Sequence, residues 1–259
     1  MPNKKFIIIA HRGESYDAPE NTLASINLAW ERNADAVEID VQLTKDEKII
    51  VIHDRTTLRT GDKYKRIASN NYDELLKIDV GKFKNTKWKD ERIPLLDEVI
   101  DTIPKNKILF IEIKSYGNIL KPLKKLIKQK NMDPVQIKFI GFDINTMKLI
   151  KDSLPKFESY WIVEGKYYRG KSSLEETIAK SKSTGLDGLD VKAKKYLSKE
   201  VIQTVENSDL KIYTWTVDDP ARAKQLYLDG IDGITTNRAG WLNNKLKETT
   251  IFNKQITNK

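Results

Sequence analysis

The chain contains 259 residues, of which 39% are hydrophobic and 32% are charged. This balance is typical of a soluble globular protein, and it excludes a disordered chain and a chain built of membrane-spanning helices. Cysteine is absent, which excludes disulfides, a thiol nucleophile, cysteine-ligated zinc and iron–sulfur clusters. Any metal ion must therefore be bound by oxygen atoms or by the two histidines.

The net charge is +9, because 46 Lys and Arg residues exceed 37 Asp and Glu residues. Such an excess can favour nucleic acid, anionic lipid or a phosphorylated substrate. The lysines are scattered over predicted helices, which favours a solvated basic surface over a nucleic-acid-binding face. The apolar run near the N-terminus, Phe6–Ala10, is too short for a signal sequence, and no segment is long enough to span a bilayer. We expect a cytoplasmic protein without a nucleic-acid partner or stable membrane insertion.

Short apolar runs alternate with longer segments of helical periodicity along the chain. Eight runs predict strands at Phe6–Ala10, Ala36–Gln42, Ile108–Ile113, Ile137–Gly141, Ser159–Val163, Leu186–Asp190, Lys211–Thr216 and Ile231–Thr235. Helices are predicted at Thr22–Arg32, Leu96–Thr102, Asn118–Lys130, Ile144–Leu154, Ser173–Thr184, Ser198–Asn207, Pro220–Leu228 and Ala239–Glu248. This alternation predicts an α/β fold, a (β/α)8 TIM barrel, with residues 1–259 forming one domain. The polar stretch at about 55–92 predicts a small insertion over one barrel face.

A further apolar run, Ile49–Ile52, follows the second strand after too few residues for a parallel crossover. It must therefore return antiparallel to that strand. A tight turn predicts Val41 opposite Val51 and Ile39 opposite His53. This register places His53 level with Glu38 and Asp40.

Acidic residues lie at the carboxyl ends of two neighbouring predicted strands, where barrel enzymes place their active sites. Glu38 and Asp40 are two residues apart and point to the same side of their strand, and Glu112 lies on the next barrel strand. Three carboxylates this close cannot all stay ionised without a compensating cation. Their oxygen atoms suit Mg²⁺ or Ca²⁺. We therefore expect one divalent cation, bound by Glu38, Asp40 and Glu112.

Basic side chains surround the predicted metal site. Arg12 and Lys114 supply fixed positive charges that suit a bridging phosphate group. His11 and His53 reach the same mouth from different elements, and their imidazole groups suit proton transfer near neutral pH. One histidine could deprotonate a nucleophile while the other protonates a leaving oxygen.

Each of these features also has a structural interpretation. A Glu-x-Asp pair at a strand end is commonly a salt-bridging pair, and Arg12 could pair with Glu38 at the barrel end. The pair His53-Asp54 is often a solvent-facing turn, and Trp215 is more often a core residue than a substrate wall. The convergence of five residues on one predicted face favours catalysis: His11, Glu38, Asp40, His53 and Glu112.

The sequence resembles the glycerophosphodiester phosphodiesterases in the pattern His11-Arg12, Glu38-Ile39-Asp40 and His53-Asp54. Further similar motifs are Pro19–Thr22, Glu112–Lys114, Trp215–Val217 and Asp232–Thr235, so the resemblance extends from about residue 6 to about residue 240. It implies a barrel that hydrolyses a small-molecule glycerophosphodiester to sn-glycerol 3-phosphate and an alcohol. The resemblance also implies a role for each site residue. The implied metal ligands are Glu38, Asp40 and Glu112, the acid/base residues are His11 and His53, and the phosphate contacts are Arg12 and Lys114. Trp215 is expected to form an apolar wall against the substrate.

Two positions depart from the usual pattern of that family. Gly141 precedes Phe142 where the family often has serine, and Asn237 stands where an aspartate usually follows the last strand. Neither is expected to touch the metal ligands or the catalytic histidines. The departures therefore bear on substrate contacts and not on the reaction.

Several alternatives remain open from the sequence. The attacking oxygen is either water or the substrate's own glycerol hydroxyl, which would give a transient cyclic phosphate. A phospholipase D-like barrel that acts on lysolipids is the nearest rival, although the many lysines near Phe83 and Trp88 favour a small soluble diester. A non-catalytic binding barrel is a further alternative. The leaving alcohol, the native metal and the oligomeric state are not predicted.

Overall fold

A computed structural model describes residues 6–248, so the polar tail that follows Glu248 lies outside the described residues. The strands are β1 (Ile7–His11), β2 (Ala36–Leu43), β3 (Ile49–Val51), β4 (Ile108–Ile113), β5 (Ile137–Gly141), β6 (Glu158–Val163), β7 (Gly188–Lys192), β8 (Lys211–Trp215) and β9 (Gly233–Thr236). The helices are α1 (Leu23–Glu31), α2 (Tyr72–Leu75), α3 (Leu96–Ile100), α4 (Leu120–Gln129), α5 (Ile144–Ser153), α6 (Lys171–Ser183), α7 (Lys199–Glu206), α8 (Pro220–Asp229) and α9 (Ala239–Lys247).

All of these strands except β3 form a closed parallel barrel. Its order is β1-β2-β4-β5-β6-β7-β8-β9, and β9 pairs with β1 to close it. The predicted (β/α)8 barrel is therefore confirmed. Among the described residues, no helix has the length and apolar character needed to cross a bilayer.

Two predicted strands begin too early in the sequence. The predicted Leu186–Asp190 is observed as β7, and the predicted Ile231–Thr235 is observed as β9. Leu186 and Ile231 are buried, but their backbone N–H groups bond to the ends of the preceding helices. Their hydrophobicity therefore reflects packing beneath the helices and not strand pairing.

Side chains on alternate strand positions fill the barrel interior. The inner cluster consists of Ile7, Ile9, Ala36, Phe110, Ile140, Tyr160, Ile162 and Tyr213. The intervening residues, such as Ile8, Val37 and Ile111, point outward into the core between the sheet and the helices. This alternation directs the polar residues near the carboxyl ends of β2, β4 and β7 into the mouth of the barrel.

The amino end of the barrel interior holds a partly exposed ionic cluster. Glu158 accepts hydrogen bonds from Lys138, from Lys211 Nζ at 2.5 Å and from the Tyr160 hydroxyl at 2.6 Å. Burial alone would raise the pKa of Glu158, but these hydrogen bonds outweigh it and lower the pKa to about 2.

This lowered pKa predicts an acid-dependent contribution to stability. Because the folded-state pKa lies below the ordinary value, the contribution is present above about pH 4.5 and is lost as the pH falls towards 2. We expect Glu158→Gln to reduce the free energy of unfolding by about 2 kcal/mol at pH 7. Urea denaturation of both proteins from pH 7 to pH 3 should show this difference shrinking below pH 4.5. A difference independent of pH would contradict the assignment.

The antiparallel strand β3 pairs with the carboxyl-terminal end of β2. The predicted register is confirmed where Val41 lies opposite Val51. The predicted pairing of Ile39 with His53 is wrong, because β3 ends at Val51. The Gln42 side-chain amide donates to the carbonyl of His53 at 2.9 Å and to both neighbouring carbonyls, which turns the chain out of the sheet.

The predicted insertion at 55–92 contains α2 and two short 3-10 turns. Its apolar residues pack with β3 in a separate cluster of Ile50, Ile52, Ile67, Tyr72, Leu75, Ile78, Val80 and Ile93. Lys84 Nζ donates to the Ser15 carbonyl at 2.7 Å, and Trp88 Nε1 donates to the Asp17 carbonyl at 3.2 Å. The insertion is thus fastened to the loop that follows β1, at the carboxyl end of the barrel.

Candidate active site

Three carboxylates lie together inside the carboxyl end of the barrel. Glu38 and Asp40 extend inward from β2, and Glu112 extends inward from β4, where it lies opposite Asp40 in the strand register. One oxygen atom of each residue lies within 4.8 Å of those of the other two, and all three residues are buried. The structure therefore brings together the three predicted metal ligands.

Two basic side chains partly compensate this negative charge. Lys114 Nζ lies 3.1 Å from Asp40 Oδ1 and 2.6 Å from Glu112 Oε1, and Arg12 Nε lies 3.1 Å from Asp40 Oδ2. Burial opposes ionisation of Asp40, but Arg12 and Lys114 outweigh it and lower the pKa of that carboxyl. Burial and then the negative charge of Asp40 raise the pKa of Glu112 to about 8 and that of Glu38 well above its ordinary value.

The cluster fits a hard divalent cation. Glu38 Oε1 is buried and has no hydrogen-bond partner among the described residues. A buried carboxylate oxygen without a partner carries a large desolvation cost, which a bound cation would offset. The donors are all carboxylate oxygens, which suits Mg²⁺ or Ca²⁺. Glu38, Asp40 and Glu112 would hold such an ion.

The loop between β1 and α1 supports this cluster from one side. Arg12 and Asn21 have positive φ angles, of 56° and 58°. This conformation lets the Arg12 backbone N–H donate to Glu38 Oε2 at 3.0 Å. It also lets Asn21 bond twice to Asp40, with Asn21 Nδ2 donating to Oδ2 at 2.8 Å and the Asp40 N–H donating to Asn21 Oδ1 at 3.1 Å. Sequence reasoning gave Asn21 no role, although it lies in the Pro19–Thr22 motif.

His11 is bonded to a neutral partner at the end of β1. Its Nδ1 lies 2.7 Å from Asn237 Oδ1, and Asn237 Nδ2 donates to Asp218 Oδ2 at 2.7 Å. This network orients the amide so that His11 Nδ1 carries the proton and Nε2 has a free lone pair. Burial, and then the charge of Arg12, lower the pKa of His11 to about 4. The ring is therefore neutral at pH 7.

Asn237, one of the two departures from the family pattern, contacts His11, so the expectation that neither departure would touch the proposed metal ligands or catalytic histidines is wrong for Asn237. At the other departure, Gly141, it is the following residue, Phe142, that lies at the site. Asn237 accepts directly from His11, as described above. The Phe142 ring lies 5.6 Å from Lys114 Nζ and packs edge-on against Trp215, with ring centroids 5.9 Å apart. The sequence pattern missed the contact with His11 because the loop after β9 reaches the end of β1 only when β9 closes the barrel on β1.

Replacing Asn237 with aspartate is expected to raise the pKa of His11. The change places a negative charge about 2.7 Å from Nδ1, which stabilises the protonated ring. We expect the pKa to rise from about 4 by about one unit or more. The chain has two histidines, so a proton NMR titration resolves each ring. An unchanged His11 titration would show that Asn237 does not set its protonation, and His53 serves as the internal control.

His53, in contrast, is bonded to a carboxylate. Its Nδ1 lies 2.6 Å from Asp54 Oδ1, and Asp54 Oδ2 accepts from Arg59 Nε at 2.7 Å. Burial raises the pKa of the Asp54 carboxyl, but the hydrogen bonds from Arg59 and His53 outweigh this effect and lower the pKa below its ordinary value. Arg59 also bonds to Glu20 at 2.6 and 2.8 Å, and Glu20 accepts from Arg12 Nη1 at 2.8 Å. Sequence reasoning missed Glu20 and Arg59, which connect the His53 loop to the loop after β1.

A cavity of about 80 Å³ lies between the two histidines. Its charged side is formed by His11, Arg12, Glu38, His53, Glu112 and Lys114. The rest of its lining is mostly apolar and is formed by Ile140, Phe142, Ile162, Asp190, Trp215 and Thr235. Asp40 is fully buried against Arg12 and Lys114. The structure thus gathers every residue that the sequence assigned to the site, including the predicted wall residue Trp215.

Comparison with known proteins identifies the family. The model of the glycerophosphoryl diester phosphodiesterase family matches residues 11–240. The chain belongs to this family. A glycerophosphodiester phosphodiesterase of Caldanaerobacter subterraneus subsp. tengcongensis is 31% identical over 238 residues, which cover 90% of this chain and 94% of the relative. A glycerophosphodiester phosphodiesterase of Bacillus subtilis is 26% identical, over 90% of this chain and 84% of the relative.

Solved structures of the family have the same fold. A phosphodiesterase of Oleispira antarctica, determined in complex with the product sn-glycerol-3-phosphate, aligns with a TM-score of 0.85 at 25% identity, covering 93% of this chain and 96% of that chain. A glycerophosphodiester phosphodiesterase of Thermotoga maritima aligns with a TM-score of 0.74 at 24% identity, covering 93% and 98%. Family membership makes the chain an enzyme, a phosphodiesterase, and the non-catalytic binding barrel is set aside.

Proposed function

We propose that the enzyme hydrolyses glycerophosphodiesters to sn-glycerol 3-phosphate and an alcohol, with one divalent cation, Mg²⁺ or Ca²⁺, and two catalytic histidines. The observation that carries the proposal is the composition of one cavity, which places the carboxylate cluster between His11 and His53. The known relatives support the substrate class, and the Oleispira antarctica enzyme binds the product named here.

The charged side of the cavity suits the phosphate group. Arg12 and Lys114 border it and supply two fixed positive charges next to the carboxylates. The cation, when bound by Glu38, Asp40 and Glu112, supplies Lewis-acid stabilisation of the negative charge that develops on the phosphate oxygens. Lys114 then remains available to hold the phosphate of the product.

The different partners of the two histidines assign their roles. His11 is neutral, and its Nε2 lone pair is free to accept a proton, so it acts as the general base on the attacking oxygen. His53 has the charged carboxylate of Asp54 at Nδ1, which fixes the ring by a charge-assisted hydrogen bond and leaves Nε2 for proton exchange with the substrate. His53 therefore protonates the leaving alcohol. The base serves equally well for attack by water or by a glycerol hydroxyl.

A product assay tests this function directly. The full-length enzyme is incubated with glycerophosphocholine, glycerophosphoethanolamine, glycerophosphoglycerol and lysophosphatidylcholine, each with and without EDTA and with Mg²⁺ or Ca²⁺ added back. We expect sn-glycerol 3-phosphate and the free alcohol from the small diesters, in a metal-dependent reaction. A cyclic phosphate formed from the lysolipid would favour the phospholipase D-like alternative. No metal-dependent hydrolysis of any diester would overturn the proposal.

A further inference from the structure

One carboxyl group in the cavity has no part in the proposed chemistry. Asp190 extends inward from β7, is 4% exposed and lines the cavity. Its Oδ1 is buried and has no hydrogen-bond partner among the described residues. Leaving a buried polar group unpaired is unfavourable, so this atom is available to a partner that the described residues do not supply.

The position of Asp190 indicates what that partner is. In the barrel order, β7 lies across from β2, so Asp190 lies on the wall opposite the carboxylate cluster. Its neighbour in the register of β6 is Ile162, and Ile140 and Trp215 line the same cavity. Asp190 is thus a buried carboxyl in a largely apolar surface. Such a surface suits a ligand that has a short carbon skeleton and a hydroxyl group.

We propose that Asp190 binds a hydroxyl group of the substrate's glycerol moiety and thereby selects glycerol over a plain alkyl group. This inference rests on the proposed function, because it assumes a phosphate held by Arg12 and Lys114. The glycerol carbons then pack on Ile162 and Trp215, and the hydroxyl donates to the Asp190 carboxyl. A carboxyl group accepts this hydrogen bond in either protonation state.

Competitive inhibition by two phosphate monoesters tests the proposal without requiring turnover of an unnatural substrate. Glycerol 3-phosphate and n-propyl phosphate share the phosphate and the three-carbon chain, but only the first has hydroxyl groups. The metal-loaded wild-type enzyme should bind glycerol 3-phosphate about tenfold or more tightly than propyl phosphate. In Asp190→Ala, the inhibition constant for glycerol 3-phosphate should rise about 10-fold to 100-fold, while that for propyl phosphate stays within about threefold.

Control variants separate recognition from folding. Asp190→Asn retains a hydrogen-bond acceptor and should keep part of the preference for glycerol 3-phosphate. Asp190→Val fills the space beside Ile162 and replaces the alanine variant if that protein does not fold. Ser159→Ala removes a buried hydroxyl on the outward face of β6, which likewise lacks a partner among the described residues, and should change neither inhibition constant.

Equal weakening of both inhibitors in Asp190→Ala would show a merely structural role, and no change in either would show that Asp190 does not contact the glycerol. Both results overturn the inference. The product assay on wild-type enzyme is done first, so a failure of the proposed function appears as an absence of glycerophosphodiester hydrolysis and is not confused with either result.

Discussion

Replacing His53 with alanine is expected to lower kcat on glycerophosphocholine by about 10³-fold, but to have a much smaller effect on glycerol 3-phosphate p-nitrophenyl ester. The choline alkoxide is a poor leaving group and needs a proton, whereas p-nitrophenolate leaves without one. His53 is placed to give that proton, because its Nδ1 is bonded to Asp54 and its ring lines the cavity. Steady-state rates on the two diesters, at saturating Mg²⁺ or Ca²⁺, measure the difference.

The matched variant is His11→Ala, in which both diesters should lose activity to a similar extent. A general base is needed whichever alcohol departs, and about 10²-fold to 10⁴-fold is the usual contribution of such a group. If His11→Ala, and not His53→Ala, kept most of its activity on the p-nitrophenyl ester, His11 would be the general acid and His53 the general base. Near wild-type turnover on glycerophosphocholine by either variant would refute two-histidine catalysis altogether.

The carboxylate cluster could be predicted because it depends on local rules. Glu38 and Asp40 share a face through the two-residue period of a strand, and Glu112 occupies the next strand of a parallel barrel. The barrel itself follows from the alternation of strands and helices, since each amphipathic helix must cover the strand that precedes it. Register between neighbouring strands was also predictable at Val41 and Val51, where a short turn fixes it.

The partners of the histidines could not be predicted in the same way. Asn237 reaches His11 from 226 residues away, across the seam where β9 closes on β1. Arg59 reaches Asp54 and Glu20 from an irregular loop of the insertion, which has no periodicity to indicate a direction. Side-chain hydrogen bonds between loops depend on backbone geometry that the residue pattern does not encode. The sequence therefore identified the proposed reactive groups but not the side chains that are hydrogen-bonded to them.

Chelation with EDTA is expected to lower activity by about 10³-fold or more, and added Mg²⁺ or Ca²⁺ should restore it. The ion should also stabilise the fold, by about 2.7 kcal/mol at a concentration one hundred times its dissociation constant. This corresponds to a rise in Tm of about 5–10 °C for a chain of this size. Thermal denaturation with and without the ion measures the shift independently of turnover.

Glu112→Gln is the decisive variant for this prediction. It replaces a carboxyl group whose pKa is raised to about 8 with an uncharged amide of similar shape, so at pH 7 the metal-free variant should be no less stable than metal-free wild type. Its metal-induced rise in Tm and its activity should both be lost, because a ligand is missing. Glu158→Gln, which alters a carboxylate at the opposite end of the barrel, should retain the full rise. A rise that survives in Glu112→Gln would place the ion elsewhere, and the cluster would then be an ion-pair network closed by Arg12 and Lys114.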